Sequence, residues 1–279
     1  FLGALPEAFR NRGYSDRFTF AHVSKKVRAN WKILQEAFLE SYHVIETHAD
    51  SLPFTGDAST KYDIWEEGDG HTSRLITPVA VPSPHLGGTA SLLDAVVGVA
   101  RFFEMAMPEV KAPTFDAATG NPRHQLAQWR REIMGQMLGR DLSERSDSEF
   151  VDTVQYYMFP NFFPWFGEGL PLVYQFVPLG DNPNEAVMNV RLTSPLPGNG
   201  VTPPPVKINH LDFDQSFTEF APEFAGLSHI FDQDLSNLPN IQLGLKFAAD
   251  SHNKNTLGRY QEQRIQHFHN VLSKTLGIE

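Results

Sequence analysis

Between Asn30 and His48 the chain concentrates side chains suited to hold a metal or move a proton: Glu36, Glu40, His43 and His48. On a helix advancing about 100° per residue, Glu36, Glu40 and His43 fall within about 60° of one another. Two carboxylates and an imidazole would then share one side. His48 follows His43 by five residues, about 140° away on a straight helix. Both imidazoles can reach one metal only if the helix ends near His43 and the chain bends back. This is unlike the zinc-protease pattern, where two histidines sit four apart on a continuous helix. The spacing alone also fits a plainer arrangement, a helix-end histidine at the surface followed by a loop histidine. The acidic company of His43, in a helix otherwise strongly apolar, tips the reading toward a metal.

The elements that must position these groups are legible around them. Arg17–Val27, with Phe18 and Phe20 among polar residues, reads as a strand entering a core, and Asn30 opens a helix with Ile33, Leu34, Ala37 and Phe38 on one side. Tyr62–Glu67 and His71–Val79 flank Gly68-Asp69-Gly70 as a β-hairpin would. Amphipathic helices are predicted over about 91–105 and 123–138, separated by a Pro/Gly-bearing loop from Pro108 to Pro122. β-like runs follow at Val151–Phe159, Leu172–Val177 and Ala186–Leu192, then a Pro-rich loop from Pro195 to Pro205. Helical character returns over about 222–245 and 256–276. Without a regular βαβ alternation the fold class is α+β, and neither flank of the Pro-rich loop looks self-sufficient, so residues 1–279 read as a single domain.

Composition narrows the function. Lys and Arg number 23 against 33 Asp and Glu, a net charge of −10 with no basic block, which argues against nucleic acid or an anionic membrane surface as partner. The absence of cysteine removes thiol nucleophiles, disulfides and any iron–sulfur cluster held by this chain's own thiolates. The most apolar stretch, Ser91 to Met107, is interrupted by Asp94, Arg101 and Glu104, so no membrane span is expected. No signal peptide is visible, and a cytoplasmic location is the expectation. The sequence begins at Phe1 rather than Met, as an excised or processed piece would. No phosphate-cradling glycine loop, Gly-x-Ser-x-Gly elbow or dinucleotide fingerprint occurs, so NAD and ATP are not expected ligands of this domain.

Asn30-Trp31-Lys32, then Glu36, Glu40, Tyr42-His43 and His48, closely resembles the iron-site motif of the oxygenase α subunits of Rieske non-haem iron oxygenases. Phe231-Asp232-Gln233-Asp234, with Gln242 eight residues after Asp234, is similar to the family's aspartate helix. Phe159-Pro160-Asn161, Pro178-Leu179-Gly180 and the tail with Gly258, Tyr260, Glu262, Ile265 and Phe268-His269 agree as well. The resemblance covers nearly the whole chain. It implies a helix-grip (START/Bet v 1-like) α+β fold, an antiparallel sheet wrapped around a long helix. It also implies a mononuclear Fe(II) held by His43, His48 and Asp234, two imidazoles and a carboxylate leaving positions open for O2 and water. Asp232 competes for the third ligand, and the spacing to Gln242 favours Asp234. Glu40 would be the bridge through which an electron arrives, and Glu36 matches an acidic position found in part of the family, one that equally suits a structural role.

The same resemblance implies what lies outside the chain: a Rieske [2Fe-2S] domain preceding the catalytic one, a homotrimer with or without β subunits, and electrons crossing from the Rieske cluster of a neighbouring subunit. Reducing power would come from a separate NAD(P)H-dependent reductase, with or without a ferredoxin. The implied reaction is hydroxylation of a hydrophobic, preferentially aromatic substrate, dioxygenation ahead of monooxygenation or demethylation. The competing class is a non-catalytic carrier of an apolar ligand with the same fold. Phe38, Val44 and Phe224 match positions that line the family's substrate pocket, although each also suits plain core packing. The aromatic run from Tyr156 to Phe166 reads as strand and loop packed on the core, and His22, His71, His210, His229 and His267 carry no metal-like spacing.

Overall fold

A computed structural model describes residues 1–10, 14–66, 70–196, 201–250 and 254–278. Helix α1 (Leu5–Phe9) precedes the long strand β1 (Arg17–Val27). Ala21, Val23, Lys25 and Val27 form the buried row of β1, whereas Phe20 is 46% exposed. A register shift between Thr19 and Ala21 leaves Phe20 without a partner and turned outward, while Phe18, opposite Ser194, is only partly buried, so the two do not lead the chain into the core as their apolar character suggests. Lys25 sits in the inward row because its ammonium donates to the carbonyls of Asp212 and Phe213.

Next come α2 (Trp31–Glu36), capped by Asn30, and the single turn α3 (Val44–Thr47). Strands β2 (Lys61–Trp65) and β3 (Thr72–Thr77) form the expected hairpin, with Trp65 opposite Thr72. Glu67, Gly68 and Asp69 of its turn lie outside the described residues. Helices α4 (Leu92–Ala106) and α5 (Pro122–Leu138) match the two amphipathic predictions and build a second core around Phe103, Leu126 and Trp129. Between them residues 107–121 carry no helix or strand.

The short α6 (Ser148–Val151) leads into β4 (Thr153–Met158), β5 (Phe162–Pro164), β6 (Leu172–Pro178) and β7 (Ala186–Pro195). Of the predicted Pro-rich loop, residues 197–200 lie outside the described residues and 201–208 carry no regular structure. Strand β8 (Asn209–Leu211), α7 (Phe217–Phe220), α8 (Gly226–Asp250) and α9 (Gln263–Leu276) complete the order. Helix α8 starts later than its sequence pattern because Pro222–Phe224 form a separate tight turn, ended by Ala225 at φ 47°.

The strands join in the order β2-β3-β4-β5-β6-β7-β1-β8, antiparallel throughout except for the parallel pair β1–β8. Phe231 and Leu238 of α8 and Ile265, Phe268 and Val271 of α9 enter the same buried cluster as Val23, Tyr157, Phe163 and Phe176 of the sheet. Burying each such large side chain contributes about 1.5–3 kcal/mol. The α+β reading holds, with long helices laid on an antiparallel sheet. The aromatic run packs inward as expected, Tyr157 and Phe163 being fully buried.

Candidate metal centre

Helix α2 does not continue to His43. It closes at Glu36, where Phe38 N–H and Leu39 N–H turn back to the carbonyls of Gln35 and Glu36. No Gly or Pro forces this; tertiary partners claim the backbone instead. Arg264 Nη1 donates to Leu39 O at 3.1 Å, and Ser41 N–H donates to the Tyr62 hydroxyl at 3.0 Å. The Ser41 and Thr77 hydroxyls lie 2.8 Å apart. The shared helical face expected for Glu36, Glu40 and His43 therefore does not exist, since Glu36 pairs instead with His269 Nε2 at 2.8 Å.

Glu40 nevertheless reaches His43 through a turn. One carboxylate oxygen accepts the backbone N–H groups of Tyr42 and His43, and the other accepts His43 Nδ1–H at 2.7 Å. The chain bends as two imidazoles on one ion require. His43 stands just before the single turn α3 and His48 just after it, where the backbone has left helical dihedrals. Their ring centroids are 5.2 Å apart, tilted by 71°.

Asp234, from α8, completes the group. Its Oδ1 lies 2.9 Å from His48 Nε2 and 3.5 Å from His43 Nε2, and the ligand atoms of all three residues fall within 4.8 Å of one another. Two ligands about 2.1 Å from one ion at right angles would be about 3 Å apart, so the spacing suits a single cation. The hydrogen bonds argue for it independently. His43 Nδ1 is committed to Glu40, and His48 Nδ1 lies 2.8 Å from Gln233 Oε1. With Nδ1 so occupied, each ring, once its Nε2 is free of a proton, would turn a lone pair toward the Asp234 carboxylate, an arrangement of three acceptors that a metal ion can join. His48 and Asp234 are buried, whereas the His43 side chain is 24% exposed. Burial disfavours a charged His43, but the charge and hydrogen bond of Glu40, joined by Asp234, prevail and lift its pKa to about 9.

Asp232 is turned to another task, its carboxylate accepting Phe217 N–H at 2.7 Å and Thr218 N–H at 2.9 Å at the start of α7. Gln242 accepts Asn30 N–H at 2.7 Å, so the residue eight beyond Asp234 fastens the start of α2 to α8. Phe38, Val44 and Phe224 are all buried. Phe38 stacks on Phe176 and meets Tyr174 edge-on, and Phe224 packs against Phe217 and Phe231. Sequence reasoning missed Gln233 and Arg264. Their only trace was polar character within apolar helix patterns, a signal that many surface residues share.

Two imidazoles and a carboxylate, gathered on an α+β sheet-and-helix scaffold, form a group able to hold a single metal ion. The chain belongs to the family of the ring hydroxylating alpha subunit (catalytic domain), whose model matches residues 14–277. No curated protein matches it. Similar solved structures include an inhibitor complex of the quaternary ammonium Rieske monooxygenase CntA, with TM-score 0.52 at 11% identity over 98% of this chain and 54% of that one. A second structure of a quaternary ammonium Rieske monooxygenase, described for carnitine oxidation and inter-subunit electron transfer, gives TM-score 0.50 at 11% identity over 98% and 54%. A naphthalene 1,2-dioxygenase variant bound to phenanthrene gives TM-score 0.50 at 12% identity over 97% and 58%. The chain thus spans little more than half the length of these neighbours, and at such identities the likeness is one of fold. Among the described residues no helix is long and apolar enough to cross a membrane.

Proposed function

We propose that this oxidoreductase domain holds Fe(II) on His43 Nε2, His48 Nε2 and Asp234, and hydroxylates a hydrophobic, preferentially aromatic substrate with O2. The observation carrying this reading is the convergence of two imidazoles, each with Nδ1 already committed, on one buried carboxylate oxygen. The metal would supply oxygen activation at its open positions. The chain's own residues orient and protect. Glu40 holds the Nδ1 proton of His43 and fixes the ring, and its 2.7 Å contact makes it the candidate bridge for electrons arriving from a Rieske [2Fe-2S] cluster. Val44, Phe38 and Phe224, all buried, are the proposed apolar lining for the substrate, a role that would also keep bulk water from the reacting atoms.

In this reading the cluster belongs to a neighbouring subunit of a trimer, in keeping with the inter-subunit electron transfer described for a quaternary ammonium monooxygenase. A separate reductase supplies the electrons. Dioxygenation is the preferred outcome, and labelled O2 distinguishes it from monooxygenation by placing two atoms rather than one in the product. The metal assignment is tested by anaerobic loading with Fe(II) and metal analysis. One equivalent is expected in the wild type and in Asp232→Ala, and far less in His43→Ala and Asp234→Ala. Metal-free wild type would support the carrier of an apolar ligand instead, and iron kept by Asp234→Ala but lost by Asp232→Ala would reverse the choice of ligand.

A further inference from the structure

A neutral histidine can turn either ring nitrogen to a metal, and the partner of the other nitrogen decides which. For His43 that partner is the Glu40 carboxylate, which can only accept when ionised. For His48 it is Gln233, whose amide has one accepting end and one donating end and so cannot decide alone. A third residue settles it. Asp50 Oδ1 accepts from Gln233 Nε2 at 3.3 Å, and its Oδ2 lies 3.3 Å from His229 Nε2. Were the Gln233 amide turned over, its oxygen would face the Asp50 carboxylate, acceptor against acceptor. With its NH2 held by Asp50, the amide offers Oε1 to His48 and can receive only Nδ1–H.

We propose that Asp50 is a positioning residue for the metal centre, fixing through Gln233 which nitrogen of His48 faces the ion. The surroundings suit this role. Asp50 lies on the short turn Ala49–Ser51 that directly follows His48, so the segment presenting the ligand also carries the reference for its orientation. His229, Gln233 and Asn237, four residues apart on α8, all bond to residues 47–50, the last through Asn237 Nδ2 donating to Thr47 Oγ1 at 3.2 Å. One stripe of α8 therefore grips the His48 turn while Asp234, beside it, faces the metal. Asp50 is itself 56% exposed, so a solvent-side carboxylate sets the state of a buried ligand.

The inference rests on the metal reading of His43, His48 and Asp234, and its test separates the two. In the full 279-residue chain, nitrogen NMR of the metal-free protein reads the His48 tautomer, and titration with Co(II) reads affinity. Wild type is expected to carry the proton on Nδ1. Asp50→Ala and Gln233→Met are expected to mix the tautomers and to weaken Co(II) binding by about 10- to 100-fold. The double variant D50N/Q233E reverses donor and acceptor between the two positions while still offering His48 an acceptor, and should restore both readouts. An unchanged His48 tautomer in both single variants overturns the proposal, even if their thermal stability falls. A wild type that takes up no Co(II) while its tautomer follows this pattern rejects the metal reading and leaves the positioning role standing.

Discussion

Glu40 faces His43 with a full charge, whereas Gln233 faces His48 with a neutral amide, and the difference has a consequence in pH. In the metal-free protein His43 titrates near 9, above the ordinary value of 6.5. Its imidazolium therefore adds stability that is complete below about pH 6.5 and is lost as pH rises through about 9. A metal competes with the proton on Nε2, so Fe(II) affinity should strengthen as pH rises across the same window. Glu40→Gln keeps a hydrogen bond but removes the charge, and His43 should then titrate at least about one pH unit lower. Proton NMR titration of the His43 ring checks this, and a midpoint still near 9 would show that Glu40 is not the cause. At this scale His43, His48 and Asp234 were legible because their types and spacing match a known motif. The partnership of Asp50 with Gln233 was not, because the polarity of an amide is decided by neighbours distant in sequence.

The break between α2 and α3 is made by elements rather than by local propensity. Ile33, Leu34, Ala37 and Phe38 keep a helical rhythm past Glu36, and no Gly or Pro interrupts it. What ends the helix is a buried guanidinium from α9. Arg264 is 0% exposed and bonds Ser73 Oγ, Gln155 Oε1 and Leu39 O, without a carboxylate among these partners. Desolvation lowers its pKa to about 9, as expected of a cation enclosed by neutral groups. Arg264→Lys retains a buried charge but cannot span three acceptors, and should cost about 3 kcal/mol. Arg264→Met removes the charge while filling much of the space, and should cost less. Both should lose iron, since Leu39 O is released and the turn carrying Glu40 loosens. Urea denaturation with metal analysis checks the order, and a Met variant less stable than the Lys variant would refute it. The strands were legible from β-rich runs bounded by Gly and Pro. The three-residue β5 and β8 were too short to show a period, and the bulge before Ala21 hid which face of β1 turns inward.

For the whole molecule, the absence of cysteine means that no Cys2His2 cluster can form on this chain alone. Loaded with Fe(II) and given NADH and a reductase, the chain should show no sustained turnover until a Rieske-bearing protein is supplied. Product formation over many cycles in its absence, followed by chromatography, would contradict the electron route proposed above. The sheet adds a constraint on how copies of the chain can meet. One rim is β2, where Lys61 is exposed, Asp63 is held by Arg74, and the carbonyl of Thr60 just before the strand is occupied by the Tyr260 hydroxyl. The opposite rim, β8, is three residues long. Among the described residues the two rims are five and three residues long, so each offers only a short edge onto which a second sheet could add. Copies of the chain, where they assemble, are then expected to meet through side-chain surfaces rather than by splicing their sheets into one, and the short rims also leave little template for strand-by-strand stacking in a crowded solution.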